Sequence, residues 1–586
     1  MPPVDDYRGN DRFEIIRRIG AGGMGVVYDA FDRERGMRVA LKTLPQIHPQ
    51  ALYLFKNEFR SLAGVSHPNL VTLYELLNEG ERWFFTMEFV EGVDFLHFVA
   101  PNSALEAGSA ATMTLAAEVA PASPRHRFSP TVDYAALRDA LAQVVTGLAA
   151  LHAQEKVHRD VKPSNVLVTG QGRVVILDFG LVQDVSADPL STTSGAGSAA
   201  YMSPEQAAGQ PLHPATDWYS TGVMLHEVLT GELPRRGGPL SLEMLAPAAP
   251  PDLKNLCAAL LQVDRTKRPG GREILAMLDQ SPKAVQEPAE KLFVGRAREL
   301  ATLDQAFRRM RRGEAVVVSI EGASGLGKSA LLRESAERFR DENATVLEGR
   351  CYEQESVPYK AIDNLIDRLT SYLGRLPEIE IAGLLPRDAG LLPDLFPVMA
   401  GLPEIAAAHV RGTIEPQEIR RRAFQAIREL FSRLGDRVPL VLIIDDLQWG
   451  DQDSANLLAE VLRQPDGPAL LLIVAYRAGY AGRSPALDAL LAALGTQKAS
   501  RFHIELSPLE VEETQELVNL LLPGGRAANS SLIETIVRET QGNAFFIREL
   551  VHTAREEGIQ RSVNLESAIL GRVSHGLDAP HAQRLA

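Results

Sequence analysis

Lys42 stands in the run Val39-Ala40-Leu41-Lys42, where an unpaired ammonium among apolar neighbours would be costly. Phosphates together with a carboxylate would supply the anions it needs, and Glu58, in the run LFKNEFRSLAGV, is a candidate partner. Taken alone, Lys42 reads equally as a surface lysine on an edge strand. Residues Val157 to Val168 read VHRDVKPSNVLV. Here Asp160 can accept a proton from a hydroxyl, Lys162 can offset phosphate charge, and Asn165 can help hold a divalent cation. Asp178, in Asp178-Phe179-Gly180, follows the strand-like RVVIL, and a carboxylate at a strand end is well placed for a metal. Ahead of all of these, Gly20-Ala21-Gly22-Gly23-Met24-Gly25-Val26-Val27 has the form GxGxxGxV, whose glycines let a backbone approach phosphate oxygens. A Gly-rich turn by itself is equally a plain hairpin. The four groups in this order and spacing point to phosphoryl transfer.

A second group follows. Gly322-Ala323-Ser324-Gly325-Leu326-Gly327-Lys328-Ser329 fits GxxxxGK[ST], directly after the apolar run AVVVSI and before a helical run. Backbone N–H groups and a helix N-terminus can cradle phosphates there. Lys328 would add a point charge and Ser329 a magnesium ligand. In PLVLIIDDLQW, Asp445 at the strand end can hold magnesium through water, and Asp446 can position an attacking water.

These groups need two scaffolds. At about 100–200 residues per domain, 586 residues imply several domains. RVALKTL and RWFFTMEFV read as strands, and ALRDALAQVVTGLAALHAQ as an amphipathic helix, so the first region is expected to be α+β with two lobes. Its expected span is 12–280, after a tail at 1–11, with a low-complexity insertion at 101–130 rich in Ala, Ser, Thr, Glu and Pro. QSPKAVQEPAEK suits a linker at 281–291. From 292 to 550, AVVVSI, PLVLIIDDL and ALLLIVAY are continuous apolar runs, as expected of a parallel α/β sheet buried on both faces. Residues 551–586 read as the start of a further helical segment. A formal net charge of −14 disfavours general nucleic-acid binding. Two distant cysteines, Cys257 and Cys351, exclude a disulfide framework and fit a reducing compartment. With neither a signal peptide nor an apolar run near ~20 residues, the expectation is a soluble cytoplasmic protein.

The first constellation resembles the eukaryotic-like Ser/Thr protein kinase family of bacteria, from about Arg12 to Gln280. The resemblance implies a two-lobed fold with Mg²⁺–ATP in the cleft. Ile19, Gly20, Ala21, Gly22, Gly23, Met24, Gly25, Val26 and Val27 would cover the phosphates, and Lys42 would orient them and pair with Glu58. Asp160 would be the catalytic base, with Lys162 beside it, and Asn165 and Asp178 would bind magnesium. Met87 matches the gatekeeper, and Glu88 to Val90 the hinge to adenine. GSAAYMSPEQ, Gly197 to Gln206, matches the end of the activation segment, with Ser198 where the family usually has Thr. Glu205 would pair with Arg268, and Asp217 would brace the catalytic loop. Arg159 would meet a phosphate on Thr192 or Thr193, in a stretch that also holds Ser191 and Ser194. Protein Ser/Thr hydroxyls are the implied acceptors.

The second constellation, with FVGRARELATLDQAF ahead of it, resembles signal-transducing AAA-like P-loop NTPases from about Phe293 to Leu550. GRCYEQESVPYKAIDNLID, from Gly349, is similar to that family in large bacterial kinase–ATPase fusions. Arg477 matches a phosphate-sensing position, and QGNAFFIREL, from Gln541, resembles a second sensor near adenine, with Ala544 where proline is usual. The closing residues resemble the start of a winged helix. The expectation is a protein Ser/Thr kinase coupled to a second ATP site that acts as a switch and allows self-association. Its rivals are a non-catalytic kinase-like scaffold and a transcription-regulating ATPase.

Overall fold

The structure, a computed structural model, describes residues 7–22, 25–44, 48–80, 82–101, 131–179, 183–184, 199–235, 242–280, 292–408, 415–463, 467–496, 500–522 and 530–557. The chain divides into two units, drawn mainly from residues up to Glu290 and from Lys291 onward. Most of the expected insertion (from residue 102), the linker 281–291 and residues 558–586 lie outside the described residues.

The first unit opens with β1 (Phe13–Gly22), β2 (Gly25–Asp32), β3 (Met37–Thr43), α1 (Pro49–Leu62), β4 (Leu73–Glu79) and β5 (Arg82–Glu88). These strands lie in the order β1-β2-β3-β5-β4, each antiparallel to its neighbours. Alternation along β3 decides what it presents. Val39 and Leu41 enter one apolar cluster with Tyr28 and Phe84. Ala40 faces the other way, with Ile19 and Val27, and Lys42 follows Ala40 by two residues.

Helices dominate the remainder: β6 (Gly92–Asp94), α2 (Phe95–Val99), α3 (Tyr134–His152), β7 (Lys156–Val157), β8 (Val166–Thr169), β9 (Val174–Ile176), β10 (Gln183–Asp184), α4 (Pro204–Ala207), α5 (Ala215–Thr230), α6 (Leu242–Leu245), α7 (Pro251–Leu260) and α8 (Gly271–Met277). In α3, Leu137, Leu141, Val144, Leu148 and Leu151 recur at helical spacing and are buried. Burying each such side chain contributes roughly 1.5–3 kcal/mol. The helix starts where it does because the Asp133 carboxylate accepts from the Ala135 and Ala136 N–H groups, at 3.0 Å each. Buried on nearly every side, α5 runs through the core and carries Asp217 inward on its first turn.

In the second unit the strands are β11 (Val316–Gly322), β12 (Thr345–Arg350), the short β13 (Glu355–Ser356), β14 (Leu440–Asp445), β15 (Leu470–Arg477) and β16 (Ser500–Leu506). The sheet order is β12-β14-β15-β11-β16, and every pairing is parallel. All six residues of β14 are buried, as its unbroken apolar run requires. Flanking helices include α9 (Ala297–Met310), α10 (Lys328–Asp341), α11 (Lys360–Leu373), α12 (Glu378–Leu384), α13 (Leu392–Leu395), α14 (Pro403–Ala406), α15 (Pro416–Gly435), α16 (Gln452–Val461) and α17 (Pro485–Thr496). Register sets the site: Gly322 lies opposite Arg477, and Arg350 opposite Asp445. All four therefore fall at the carboxyl edge of the sheet, where ligands bind in open α/β folds.

Last come α18 (Val511–Leu521), α19 (Ser530–Thr540) and α20 (Ala544–Glu557). They share a separate apolar cluster that includes Val294, Leu509, Val518, Ile536 and Leu550. The boundary expected at residue 550 falls inside α20. That helix runs to Glu557, with Val551 and Ala554 buried in the same cluster, so its apolar stripe carries it past the expected end.

Candidate functional site

Lys42 reaches across from β3 to α1. Its Nζ donates to Glu58 Oε1 at 2.6 Å and Oε2 at 2.8 Å, and to Asp178 Oδ1 at 3.3 Å. Burial works against the ammonium, but Asp178 and Glu58 hold its pKa above the usual lysine value. One cation serves two carboxylates, Glu58 buried and Asp178 half-buried. Burial pushes Glu58 up to about 7 against the pull of Lys42. Asp178 is also penalised by burial, yet Lys42 and the charge of Lys162 hold it below the ordinary carboxylate range. Asp178 takes a left-handed φ of 60° just past β9. Asp tolerates that conformation better than most residues, and here it accompanies a carboxylate that reaches Lys42.

The residues expected to form the catalytic loop converge as well. Asp160 Oδ2 accepts from Lys162 Nζ at 2.7 Å and from Asn165 Nδ2 at 3.0 Å. Asn165 Nδ2 also donates to the Asp160 carbonyl at 2.9 Å, which leaves its amide oxygen as the acceptor a cation could use. Asp217 pins this loop from below: its carboxylate accepts from the His158 and Arg159 N–H groups at 2.8 Å each and meets His152 Nε2 at 2.7 Å. Burial would raise Asp217, but the His152 contact and the charges of His152 and His158 keep it low. These bonds hold Arg159 at a left-handed φ of 70°, a conformation that costs on the order of 1–3 kcal/mol unless its surroundings impose it. Glu205 and Arg268 form a buried two-point pair at 2.6 and 2.9 Å.

The expected nucleotide-facing residues separate by face. Ile19, Val27 and Ala40 form a small apolar cluster, with Met87 and Phe89 against it. Val26 points the other way, into the cluster holding Leu41. Val90 packs into the core below, with Leu70 and Leu141, so only its backbone is free for a ligand. Glu88 is clasped by Arg173 at 2.5 and 3.1 Å, from the turn between β8 and β9. Gly20, Ala21 and Gly22 end β1, paired with Val27, Val26 and Gly25. Gly25 has φ +138°, and a Cβ there would lie 2.5 Å from the Thr43 carbonyl oxygen. Gly23, Met24, Gly180, Ser191–Ser194, Gly197 and Ser198 lie outside the described residues.

The second site is built from a loop. β11 ends at Gly322, and α10 starts at Lys328 after Gly327 at φ 93°. Lys328 Nζ donates to the Gly322 and Ala323 carbonyls at 2.8 and 2.9 Å. Burial lowers its pKa, with Asp446 and Asp445 opposing. Ser329 Oγ donates to Asp445 Oδ2 at 2.6 Å, and the Asp446 N–H donates to Asp445 Oδ1 at 2.9 Å. Burial and the adjacent Asp446 raise the Asp445 carboxyl. Asp446, at φ 54°, accepts from Arg350 at 2.8 and 2.9 Å and from Gln448 Nε2 at 3.0 Å. Gln448 Oε1 in turn accepts the Arg477 N–H at 3.0 Å. Gln448 thus ties Asp446 to the strand end bearing Arg477.

Four participants escaped the sequence reading: Arg173, Arg350, Gln448 and Arg296, whose Nη2 donates to the Leu326 carbonyl at 3.0 Å. Gln448 follows Asp445 and Asp446 directly, while Arg173, Arg296 and Arg350 stand in the quoted runs RVVIL, FVGRARELATLDQAF and GRCYEQESVPYKAIDNLID, which do not reveal their distant partners.

Residues 13–278 match the family described as protein kinase domain, and residues 292–474 the family described as AAA ATPase domain. The chain carries a protein kinase domain followed by an AAA ATPase domain. Its kinase domain is similar to the serine/threonine-protein kinase PknA of Mycobacterium tuberculosis, 33% identical over 287 residues, covering 46% of this chain and 60% of the relative. It is also similar to PrkC of Bacillus subtilis (31% over 234 residues; 39% and 32%) and to pkn2 of Myxococcus xanthus (33% over 290 residues; 45% and 32%). The chain thus spans at most about three-fifths of these relatives. Both domain families imply ATP binding, and a kinase domain implies protein substrates. Among the described residues no helix is long and apolar enough to cross a membrane.

Proposed function

We propose that this chain transfers the γ-phosphoryl group of ATP to protein serine or threonine hydroxyls, and that its P-loop domain binds a second ATP as a switch. The kinase domain is assigned 12–280, and the NTPase begins at 292. The observation that carries the reading is the joining of Lys42, Glu58 and Asp178 in one hydrogen-bonded network, with Lys42 and Glu58 buried and Asp178 half-buried.

Magnesium fits the donors at hand. Asn165 and Asp178 offer hard oxygens, and magnesium is ordinarily held by one or two carboxylates plus substrate phosphates. Among the described residues no group of three or more His, Cys, Asp or Glu converges as a metal site, as that mode of binding allows. In the second site Ser329 and Asp445 would hold the ion. Bound Mg²⁺ supplies charge neutralisation on the phosphates. Lys42, fixed by Glu58, orients the α- and β-phosphates. The apolar face of Ile19, Val27 and Ala40 receives the adenine, with Met87 at its back. Asp160 accepts the proton of the incoming hydroxyl, and Lys162 offsets charge on the transferring group.

Transfer of labelled phosphate to a generic protein acceptor tests the reading. Asp160→Asn should lower the rate by about 10²–10⁴-fold. Label should appear on serine or threonine, not tyrosine. Transfer by the wild type no greater than background would leave the kinase-like fold as a scaffold, and equal transfer above background would remove Asp160 as the base.

A further inference from the structure

Glu88 ends β5 and Phe89 follows it, at the start of the expected hinge, and an arginine holds each of the two. Arg173, from the turn between β8 and β9, joins three segments. Its Nη1 and Nη2 donate to Glu88 Oε1 and Oε2 at 2.5 and 3.1 Å, and its Nε donates to the carbonyl of Pro68, between α1 and β4, at 2.8 Å. The backbone that carries Arg173 is bracketed. Gln143 of α3 donates to the Gly172 carbonyl at 2.8 Å and accepts the Val174 N–H at 2.9 Å, so one side-chain amide fixes the peptides on both sides of Arg173. The Arg173 N–H itself donates to Thr169 Oγ1 at 3.1 Å. Phe89 is held from the sheet instead. The Arg38 guanidinium lies 3.9 Å from its ring centroid, and Arg38 Nε and Nη2 donate to Asp29 Oδ1 and Oδ2 at 2.7 and 2.6 Å. Asp29 is completely buried. Val39, next to Arg38, pairs with Glu88 across β3 and β5, so both arginines act on one corner of the fold.

An exposed ion pair ordinarily contributes little, because two long side chains must be ordered to make it. The pair of Arg173 and Glu88 departs from that case in two ways. It is a two-point contact, and Arg173 grows from peptides that α3 already holds. Less freedom remains to be lost when it forms. What it holds is backbone. The Val90 side chain is packed into the core, so the hinge offers its peptide groups to a ligand. A ligand that bonds to a peptide gains most where that peptide is already oriented.

We propose that Arg173 is a positioning residue for nucleotide binding: acting through Glu88, with Arg38 acting through Phe89, it fixes the peptides of residues 88–90 that receive the adenine. This rests on the reading that the first site binds ATP. The phosphate half of the nucleotide faces a separate network, Lys42 with Glu58 and Asp178, so the clasp acts on the base half alone.

Adenosine and tripolyphosphate, used as competitive inhibitors against ATP in labelled-phosphate transfer by the full chain, read the two halves apart. Arg173→Gln should raise the KM for ATP and the Ki of adenosine roughly tenfold, and leave kcat and the Ki of tripolyphosphate within about twofold. Arg173→Lys, which reaches Glu88 at one point only, should fall between. Glu88→Gln should match Arg173→Gln, and the double variant should be no weaker than either single one, because the second change finds the pair already broken. Arg38→Gln should raise the adenosine Ki by a smaller factor, since Phe89 still packs against the cluster of Ile19, Val27 and Ala40. An unchanged adenosine Ki in Arg173→Gln, losses that add in the double variant, or equal shifts for both inhibitors overturn the proposal. Wild-type transfer no greater than background overturns the kinase reading beneath it. Should Arg173→Gln fail to fold, Arg173→Lys must raise the Ki of adenosine without raising that of tripolyphosphate.

Discussion

Lys42 is held by carboxylates from two distant elements, whereas Lys328 is held by carbonyls of its own loop. The two ammonium groups move in opposite directions from the ordinary lysine value: up for Lys42, where two anions outweigh burial, and down for Lys328, where burial prevails. The cleft is therefore assembled by side chains from separated segments, whereas Lys328 stays within its own strand-to-helix turn and Ser329 reaches the end of β14. A side-chain network drawn from distant segments is broken by removing any one partner, while the carbonyls of a backbone loop survive any substitution.

The largest expected effect breaks the first half of this contrast. Losing one partner of a buried ion pair costs about 3–5 kcal/mol when nothing compensates. Asp178 remains beside Lys42, so Glu58→Gln should lie at the lower end, with kcat/KM for phosphoryl transfer reduced roughly 100-fold. A near-normal rate would mean that Asp178 alone positions the lysine. Next, Lys328→Ala removes one charged donor, worth about 1.5–3 kcal/mol, and should weaken the second site about 10- to 100-fold. Titration with a fluorescent ATP analogue should then show a tight kinase site with the other phase displaced. Loss at both sites would erase the distinction.

The smallest effect sharpens it through pH. Glu58 has a higher pKa folded, about 7, than the ordinary 4.5, so the folded state binds the extra proton. Its contribution to stability is present below about pH 4.5 and is lost as pH rises through about 7. Thermal melts of the ATP-free protein should show wild type losing a few degrees relative to Glu58→Gln across that window. Parallel melts at all pH values would place the proton elsewhere.

The loop site was the more legible of the two because it is local. Gly322 to Ser329 is one strand-to-helix turn, and its neighbours in sequence are its neighbours in space. Asp445 and Asp446 were readable for the same reason, at the end of an apolar run. Lys42, Glu58, Asp160 and Asp178 were readable as residue types in order. Their distances were not, since 136 residues separate Lys42 from Asp178. Val26 and Val90 show the limit of reading by motif. Both fall inside the expected nucleotide-facing stretches, yet strand alternation sends one side chain to the opposite face and core packing claims the other.

Residue chemistry and local periodicity, both carried by the chain itself, determined that there would be two units, one α+β and one built on a parallel sheet, each carrying its own motif. Tertiary structure alone decided that Arg350 holds Asp446, that Arg173 clasps Glu88, and that Asn543 and Arg296 sit behind the phosphate loop. Each of these contacts joins residues whose meeting depends on strand order, register and helix packing. A polar side chain bears no mark of which distant carbonyl or carboxylate will be brought within hydrogen-bond reach of it.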